Sequence, residues 1–384
     1  NRSQRCKRGN GKIRFKKLKL GGIYLRKKNE NAIIDILKLI APGTPIRDGL
    51  ENILRAKTGA LLLITDDNDI IKEVVDGGFT INEDYTSSKL YELAKMDGAI
   101  VLSGDLKKIL FANAQLIPSR EIETMETGTR HRTAERTAKQ TGELVISISQ
   151  RRNIITIFKG NARYILEDTN AVLNKANQGV QTLEKYKKVF DNKLNILNEY
   201  EFNDIVTLQN VILAIQRAEM VMRIVDEIQG QIYELGNDGR LVKMQLEELV
   251  GGVEKEELLI IKDYLAPTKD KLNPEEVLDN LSELSYEDLN KESSIAKLLG
   301  FDVFDNYDEV GVYTRGYRIL SKIPRMPTNI VENLVSSFKS FQHILAADIE
   351  SLDEVDGIGE VRARTIKQSL KRMQEQFVFD NILD

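Results

Sequence analysis

The feature that most limits the fold of this chain is its longest stretch without proline. No proline occurs between Pro118 and Pro267, and strand patterning disappears from about Asn170 onward. Apolar residues there recur at steps of three and four, as one face of a helix requires: Leu183, Tyr186, Phe190, Leu194 and Leu197. The pattern predicts a helical spine over residues 166–310. One unbroken helix over residues 170–265 would be about 140 Å long at 1.5 Å per residue, so we expect a turn at 236–239 (GNDG).

Short apolar runs bounded by turn residues precede this spine and are typical of strands: Ala60 to Thr65, Ala99 to Leu102, Ile109 to Ala112, Leu144 to Ser149 and Ile154 to Phe158. Two amphipathic helices are expected before them, over 31–40 and 46–57. The combination predicts an α/β domain over residues 29–165, with a mixed sheet and helices.

Charge is distributed unevenly along the chain. It has 55 Lys and Arg against 59 Asp and Glu, for a net charge of −4. Residues 1–28 carry twelve of the basic residues and no acid, so the remaining chain has 43 basic and 59 acidic residues, a charge of −16. This basic leader is interpreted as an addition from cloning or mis-started translation, as a nucleic-acid-binding arm, or as disorder. Because the rest of the chain is acidic overall, a nucleic-acid contact there would need a local basic patch.

Cysteine and histidine counts exclude several kinds of site. Cys6 is the only cysteine, so the chain has no internal disulfide and no Cys-rich metal site. His131 and His343 are the only histidines and lie far apart, which disfavours a multi-His metal site. No apolar run reaches the length of a membrane span. We expect a cytoplasmic protein.

The last block, residues 311–384, contains LDEVDGIGEVRARTIKQSL, which resembles a helix-hairpin-helix. Its glycines allow a tight turn close to a phosphate, and the amides at the following helix start face that anion. We expect sequence-independent DNA binding; a helical cap that binds protein is the alternative. The candidate DNA-binding residues are Gly357, Ile358, Gly359, Arg362, Arg364 and Lys367.

Two clusters in the first domain carry the chemistry. Residues 127–133 (TGTRHRT) place two arginines and a histidine at a helix start, where cations oppose the helix dipole unless an anion lies between them. Asp97-Gly98 lies between a helix and a strand, where the carboxylate can hold a divalent metal. A solvated basic turn and an ordinary Asp-Gly turn are the alternatives. Together the clusters suggest metal-assisted phosphoryl or nucleotidyl transfer.

Asp97-Gly98-Ala99 with Arg130-His131-Arg132 resembles the signature pair of diadenylate cyclase domains. Three neighbouring segments strengthen the likeness: IAPGTPIRDGLENILRAKTGAL, NAQLIPS and GTRHRTAERTAKQTGELVISISQRRNIITIF. With the helical middle and the helix-hairpin-helix end, residues 31–384 resemble the checkpoint-type diadenylate cyclases, the family of DNA integrity scanning proteins.

The resemblance implies that two ATP condense to cyclic 3′,5′-di-AMP and two pyrophosphates, with Mg²⁺ or Mn²⁺. It implies a homo-octamer around the spine and a DNA-damage checkpoint role, in which DNA, especially branched junctions, lowers synthesis. Asp97 is assigned to the 3′-hydroxyl and the metal, and Gly98 and the Leu116 backbone to the nucleotide. The phosphates are assigned to Thr129, Arg130, His131, Arg132, Thr133 and Ser149. Gln150 after Ser149 leaves open whether Arg151 or Arg152 helps.

Two other functions remain alternatives. One is a structural DNA-binding protein whose nucleotide domain only senses ATP or cyclic di-AMP, although both signature segments are intact here. The other is a nucleotidyltransferase acting on DNA ends, which usually needs two or three acids on adjacent strands. Asp66 and Asp67 are candidates, but they lie in an evident turn.

Overall fold

The structure, a computed structural model, describes residues 19–20, 23–24, 31–267 and 272–383. Most of the basic leader 1–28 lies outside these residues; within it, β1 (Lys19–Leu20) pairs antiparallel with β2 (Ile23–Tyr24). The chain divides into two compact units. The sheet unit contains Lys28–Gln181 and Glu227–Gln245, and the helical unit contains Thr182–Asp226 and Leu246–Asp384.

The sheet unit is built on one mixed sheet. Its strands are β3 (Ala60–Ile64), β4 (Val75–Asp76), β5 (Phe79–Asp84), β6 (Ala99–Leu102), β7 (Lys108–Leu116), β8 (Leu144–Ser149), β9 (Ile154–Lys159) and β10 (Ala162–Leu166). Their order is β10-β9-β8-β3-β6-β7-β4, with β5 also paired to β7. β3 and β6 run parallel, and the other pairs are antiparallel.

Helices cover both faces of this sheet: α1 (Asn31–Leu39), α2 (Pro45–Arg55), α3 (Asn68–Val74), α4 (Ser87–Leu93) and α5 (Thr129–Thr141). Strand β3 needs cover on both sides, because all five of its residues are buried. Leu62 and Ile64 join the core beneath α1, α2 and α4, whereas Leu61 and Leu63 join the core beneath α3 and α5. The alternation of side chains along a strand divides these residues between two helical layers.

The helical region begins in the sheet unit and continues into the helical unit. Its long helices are α6 (Thr169–Asn203), about 52 Å at 1.5 Å per residue, and α7 (Leu208–Leu235). Asp204 between them has a φ of 58°, and the turn expected at 236–239 is a 3-10 turn. Shorter helices follow: α8 (Arg240–Val250), α9 (Val253–Tyr264), α10 (Pro274–Glu283), α11 (Tyr286–Leu289) and α12 (Glu292–Leu298).

Residues 227–245 return to the sheet unit and bond to its first part. The Tyr164 hydroxyl donates to a Glu234 carboxylate oxygen at 2.7 Å, and the Glu167 amide donates to the same carboxylate at 3.1 Å. The Lys38 ammonium lies 4.7 Å from the ring centroid of Tyr233. The sheet unit is therefore assembled from two separate stretches of sequence.

The C-terminal part consists of two similar helical hairpins. Its helices are α13 (Tyr317–Ser321), α14 (Thr328–Phe338), α15 (Phe341–Ala346), α16 (Ile349–Asp353) and α17 (Glu360–Leu383). The Met326 amide donates to Ile323 O, and 32 residues later the Ile358 amide donates to Val355 O. The turns share a left-handed residue at the same place, Arg325 (φ 58°) and Gly357 (φ 80°).

A buried ionic cluster holds these hairpins within the helical unit. The Arg318 guanidinium bonds the Glu201 carboxylate, and both side chains are 0% exposed. The Tyr264 hydroxyl donates to the other Glu201 oxygen at 2.7 Å. The Asp263 carboxylate accepts the amides of Gly316, Tyr317 and Arg318 at 2.7, 2.7 and 2.9 Å. We call these four side chains, Glu201, Asp263, Tyr264 and Arg318, the clasp.

The predicted fold class is confirmed: a mixed α/β domain is followed by helices. The expected strands are present, and β7 extends from Lys108 to Leu116. Three strands of the main sheet were not predicted, namely β4, β5 and β10. Within the described residues, no helix has both the length and the apolar character needed to cross a membrane.

Candidate functional site

The residues predicted to carry chemistry emerge at one end of the sheet. Ala60 at the start of β3 pairs with Ile148 near the end of β8. Ala99 at the start of β6 pairs with Ala114 near the end of β7. Since β3 and β6 are parallel neighbours, these four strands present Asp97-Gly98, Leu116 and Ser149 at the same end. We call it the cradle end.

Helix α5 begins at the cradle end and forms a polar cavity there. The cavity has a volume of about 670 Å³. Its walls are the start of α5 and the turn between β8 and β9: Thr127, Gly128, Thr129, Arg130, His131, Ile148, Ser149, Gln150, Arg151 and Arg152. Three arginines and the amides of a helix start therefore face one space, as an anion site requires.

His131 is held in the wall of this cavity by one hydrogen bond. Its Nδ1 lies 3.1 Å from the Ser147 Oγ, and its buried Nε2 has no hydrogen-bond partner among the described residues. Burial lowers the pKa of His131, and the positive charges of Arg152, Arg163 and Arg130 lower it further against the opposing effect of Glu126. The imidazole is therefore neutral at pH 7 and leaves Nε2 for a ligand.

The position of Arg130 depends on a glycine. A Cβ atom built on Gly59 would lie 2.0 Å from the Arg130 Nη1, closer than any contact allows. The guanidinium therefore occupies the space that any other side chain at position 59 would fill. Sequence reasoning missed Gly59, and its position directly before the buried strand β3 was the available signal.

Two arginines fix the loops around the cavity. The Arg152 Nη2 donates to the Thr127 Oγ1 at 2.9 Å, and the Arg152 amide donates to the Ser149 Oγ at 3.2 Å. The Arg163 Nε donates to a Glu126 carboxylate oxygen at 2.6 Å. Both Arg151 and Arg152 line the cavity, and Arg152 also joins its two walls.

Five predicted residues are not among those that line this cavity: Asp97, Gly98, Leu116, Arg132 and Thr133. Asp97 is exposed at the cradle end. Gly98 has a φ of 91°, and a Cβ there would lie 2.6 Å from the Ala114 carbonyl oxygen. The close approach of β6 to β7 therefore requires glycine at this position, whatever binds nearby.

The residues present fit a metal held mainly by its substrate. The described residues contain no cluster of three or more His, Cys, Asp or Glu that could hold a metal. Asp97 offers one exposed carboxylate at the same sheet end as the arginine-rich cavity. Mg²⁺ commonly takes one or two carboxylates and completes its shell with phosphate oxygens and water. A nucleotide in the cavity would supply those oxygens.

Three of the candidate DNA-binding residues form the second hairpin turn and three lie on α17, but several already have hydrogen-bond partners. Ile358 is buried in the core of the helical unit. The Lys367 ammonium donates to the carbonyls of Leu345 and Ala347, and Arg364 pairs with Glu360. Arg362 donates to the Gly357 carbonyl. Gly359 is open, because a Cβ there would meet nothing within 4 Å.

Family models match most of the chain. Residues 47–163 match the nucleotide-binding domain of the DisA bacterial checkpoint controller, and residues 166–307 match its linker region. The chain is 55% identical over 357 residues to the DNA integrity scanning protein DisA of Clostridioides difficile (strain 630), covering 93% of this chain and 98% of that protein.

Other relatives are similar in the same way. The DNA integrity scanning protein DisA of Clostridium botulinum (strain Loch Maree / Type A3) is 52% identical over 358 residues, covering 93% of this chain and 100% of that protein. A solved structure of a double mutant of DacA from Staphylococcus aureus is 18% identical over 37% of this chain and 91% of that chain, with a TM-score of 0.27. Because the two DisA relatives are 55% and 52% identical over 93% of this chain and cover nearly their own whole length, this chain belongs to the family of bacterial DNA integrity scanning proteins.

Proposed function

We propose that this protein is a diadenylate cyclase, which condenses two ATP into cyclic 3′,5′-di-AMP and releases two pyrophosphates. The observation that carries the proposal is the cavity at the start of α5, where Arg130, Arg151 and Arg152 surround a neutral His131. Its volume of about 670 Å³ is in the range of small-molecule sites. The nucleotide-binding family model covers all of these residues.

The reaction needs two copies of this chain. Cyclic di-AMP contains two new bonds between a 3′-oxygen and an α-phosphorus, and one such cavity is present in the described part of the chain. Two sheet units facing each other would bring each ribose 3′-hydroxyl to the α-phosphorus of the other ATP. We therefore propose a homo-oligomer, an octamer by the family resemblance.

Each half-reaction is a displacement at phosphorus. The 3′-oxygen forms a bond to the α-phosphorus, the bond between that phosphorus and the bridging oxygen breaks, and pyrophosphate leaves. Asp97, an exposed acid at the cradle end that belongs to the signature segment of the family resemblance, takes the hydroxyl proton. Arg130 and its neighbours offset the charge on the phosphate oxygens. A bound Mg²⁺ or Mn²⁺ would neutralise further phosphate charge.

His131 contributes a neutral hydrogen bond. When the Ser147 hydroxyl donates to Nδ1, the proton of the imidazole lies on Nε2. That Nε2–H then donates to a phosphate oxygen. A bound triphosphate also raises the pKa of His131, because an anion stabilises the charged imidazolium.

We further propose that the C-terminal hairpins bind DNA without reading its sequence and that bound DNA regulates synthesis. The support is the turn at Gly357–Gly359, where Gly359 leaves open space for a close phosphate and α17 begins directly after it. Amides at a helix start are donors for phosphate oxygens.

The experiment is to incubate the full chain with ATP and Mg²⁺ or Mn²⁺ and resolve the products by mass spectrometry. The expected product is cyclic diadenylate. Asp97→Asn is expected to abolish product formation and to leave ATP binding and assembly intact. The control is Asp69→Asn, which changes an exposed acid on α3 and is expected to leave product formation, ATP binding and assembly unchanged. A folded oligomer that binds ATP without forming product would support the nucleotide-sensing alternative. Product formation by Asp97→Asn would remove Asp97 from the mechanism.

A further inference from the structure

A second polar cavity lies in the sheet unit, on the other face of the sheet. It has a volume of about 460 Å³ and lies between α2, the start of β9 and the start of α6. Apolar residues of α2 belong to one core and those of α5 to the other, so the sheet separates this cavity from the one at α5. The β8–β9 turn joins them: Arg152 lines the first cavity and Asn153 the second.

Arg47 is the buried charge of this cavity. Its side chain is 6% exposed, and its Nε donates to the Glu51 Oε1 at 2.8 Å. Its Nη2 lies 3.4 Å from the Thr169 Oγ1, a long contact. The Nη1 is buried without a hydrogen-bond partner among the described residues. A buried guanidinium with an unused donor costs free energy unless something accepts its hydrogens.

The acids that line the cavity already have partners. Glu51 accepts from Arg47 and Arg55, and the Lys175 ammonium lies 2.6 Å from a Glu167 carboxylate oxygen. The Asp168 Oδ1 accepts the amides of residues 170 and 171, which caps α6. Cations therefore offset the charges of Glu51 and Glu167, whereas Asp168 is bonded to neutral amides and keeps its negative charge.

Two hydrogen-bond donors on cationic side chains have no partner among the described residues, although the charge of Arg47 is itself paired with Glu51. They are the Arg47 Nη1 and the ammonium of Lys57, an exposed side chain for which the described part of the chain shows no hydrogen bond or ion pair. Thr169 and Asn170 at the start of α6 and Asn153 add neutral polar groups to the walls. A free Nη1 donor on buried Arg47 and the unpaired ammonium of Lys57, beside neutral polar groups, suit a small anion.

We propose that this cavity is a second anion site, which binds a phosphate group carried by a small molecule, with Arg47 and Lys57 as the charged contacts. It is separate from the site at α5, so the proposal does not depend on the diadenylate cyclase activity. The shared β8–β9 turn gives it a direct connection to the first cavity, through Asn153 and Arg152.

The experiment titrates the full chain with inorganic phosphate and follows ³¹P line broadening, which detects weak binding. Arg130→Ala removes the main arginine of the first cavity and is the background for all further variants. Adding Lys57→Gln or Arg47→Gln is expected to weaken the remaining binding about tenfold, the loss of one charge-assisted contact. The control Lys72→Gln removes an equal charge from the exposed surface of α3 and is expected to change nothing.

Lys57→Gln keeps the test decisive if Arg47→Gln fails to fold, because Lys57 is exposed. Binding that survives Arg130→Ala and is lost with Lys57→Gln but not with Lys72→Gln supports the second site. The proposal is overturned if Arg130→Ala alone abolishes the broadening. It is equally overturned if Lys57→Gln and Lys72→Gln weaken binding by the same factor.

Discussion

Removing Arg318 from the clasp should strongly destabilise the C-terminal hairpins locally. In Arg318→Met the buried Glu201 carboxylate keeps the Tyr264 hydroxyl as a donor but loses its cationic partner. Asp263 loses the nearby positive charge as well and keeps its three amide donors. A buried carboxylate that loses its directly bonded counter-charge is strongly destabilising.

The size of the effect follows from the burial of the pair. Breaking a fully buried pair by removing one partner costs about 3–5 kcal/mol, which corresponds to a roughly 150- to 5,000-fold change in a local opening constant. Glu201→Gln added to Arg318→Met removes the stranded charge, so the double variant should be more stable than Arg318→Met alone. The matched control is Arg364→Met, since the exposed Arg364–Glu360 pair contributes less than about 1 kcal/mol.

Hydrogen exchange measured by mass spectrometry is the suitable assay, because it reports local opening and does not require two-state unfolding of a multi-unit chain. The peptide that covers Gly316 to Arg318 contains the three amides bonded to Asp263. In Arg318→Met these amides should exchange roughly 150- to 5,000-fold faster, the factor given by the cost of breaking the buried pair. In the double variant they should regain most of their protection. The reasoning would be refuted if the loss of opening free energy in the double variant equalled the sum of the losses in Arg318→Met and Glu201→Gln.

Three further predictions test other parts of the structure. Gly59→Ala should displace the Arg130 guanidinium and raise the KM for ATP more than about tenfold, while circular dichroism stays unchanged; an unchanged KM would mean that Arg130 does not bind substrate. Gly359→Ala should weaken duplex affinity without altering the fold or basal synthesis, because it fills only open space at the turn, and equal affinity in a gel-shift titration would place the DNA contact elsewhere. Burial and the neighbouring Glu201 raise the pKa of Asp263 from 3.8 to about 7. Since the folded state then holds the proton more tightly, the opening free energy around Asp263 should fall as pH rises from about 4 to 7, and an increase over that window would contradict this assignment.

The sequence predicted the parts of the fold that have strong local patterns. The strand at Leu144–Ser149 is a short apolar run, and five of its six residues are buried. β5 (Phe79–Asp84) escaped prediction because it pairs with β7 alone, and most of its side chains are exposed and polar. Only Phe79 and Ile81 alternate with polar residues before three polar residues follow, which is too short a pattern to identify a strand.

The candidate site was predictable where neighbouring residues carry it. Residues 127–133 predicted an anion site at a helix start, and the structure places Thr129, Arg130 and His131 in one cavity with Ser149. The supporting contacts were not predictable, because they join distant segments: Gly59 makes room for Arg130, and Ser147 bonds His131. Spacing along the chain does not encode which strand end comes to lie beside a helix start.

The return of residues 227–245 to the sheet unit has a practical consequence for anyone who shortens this protein. A fragment cut after β10, or even at Gln181, would lack the segment whose Glu234 carboxylate bonds Tyr164 and the Glu167 amide. Such a fragment would expose a surface that the full chain covers, and it would be prone to aggregate. Fusing 227–245 back through a short linker, in place of the intervening helices, would restore a self-contained nucleotide-binding module.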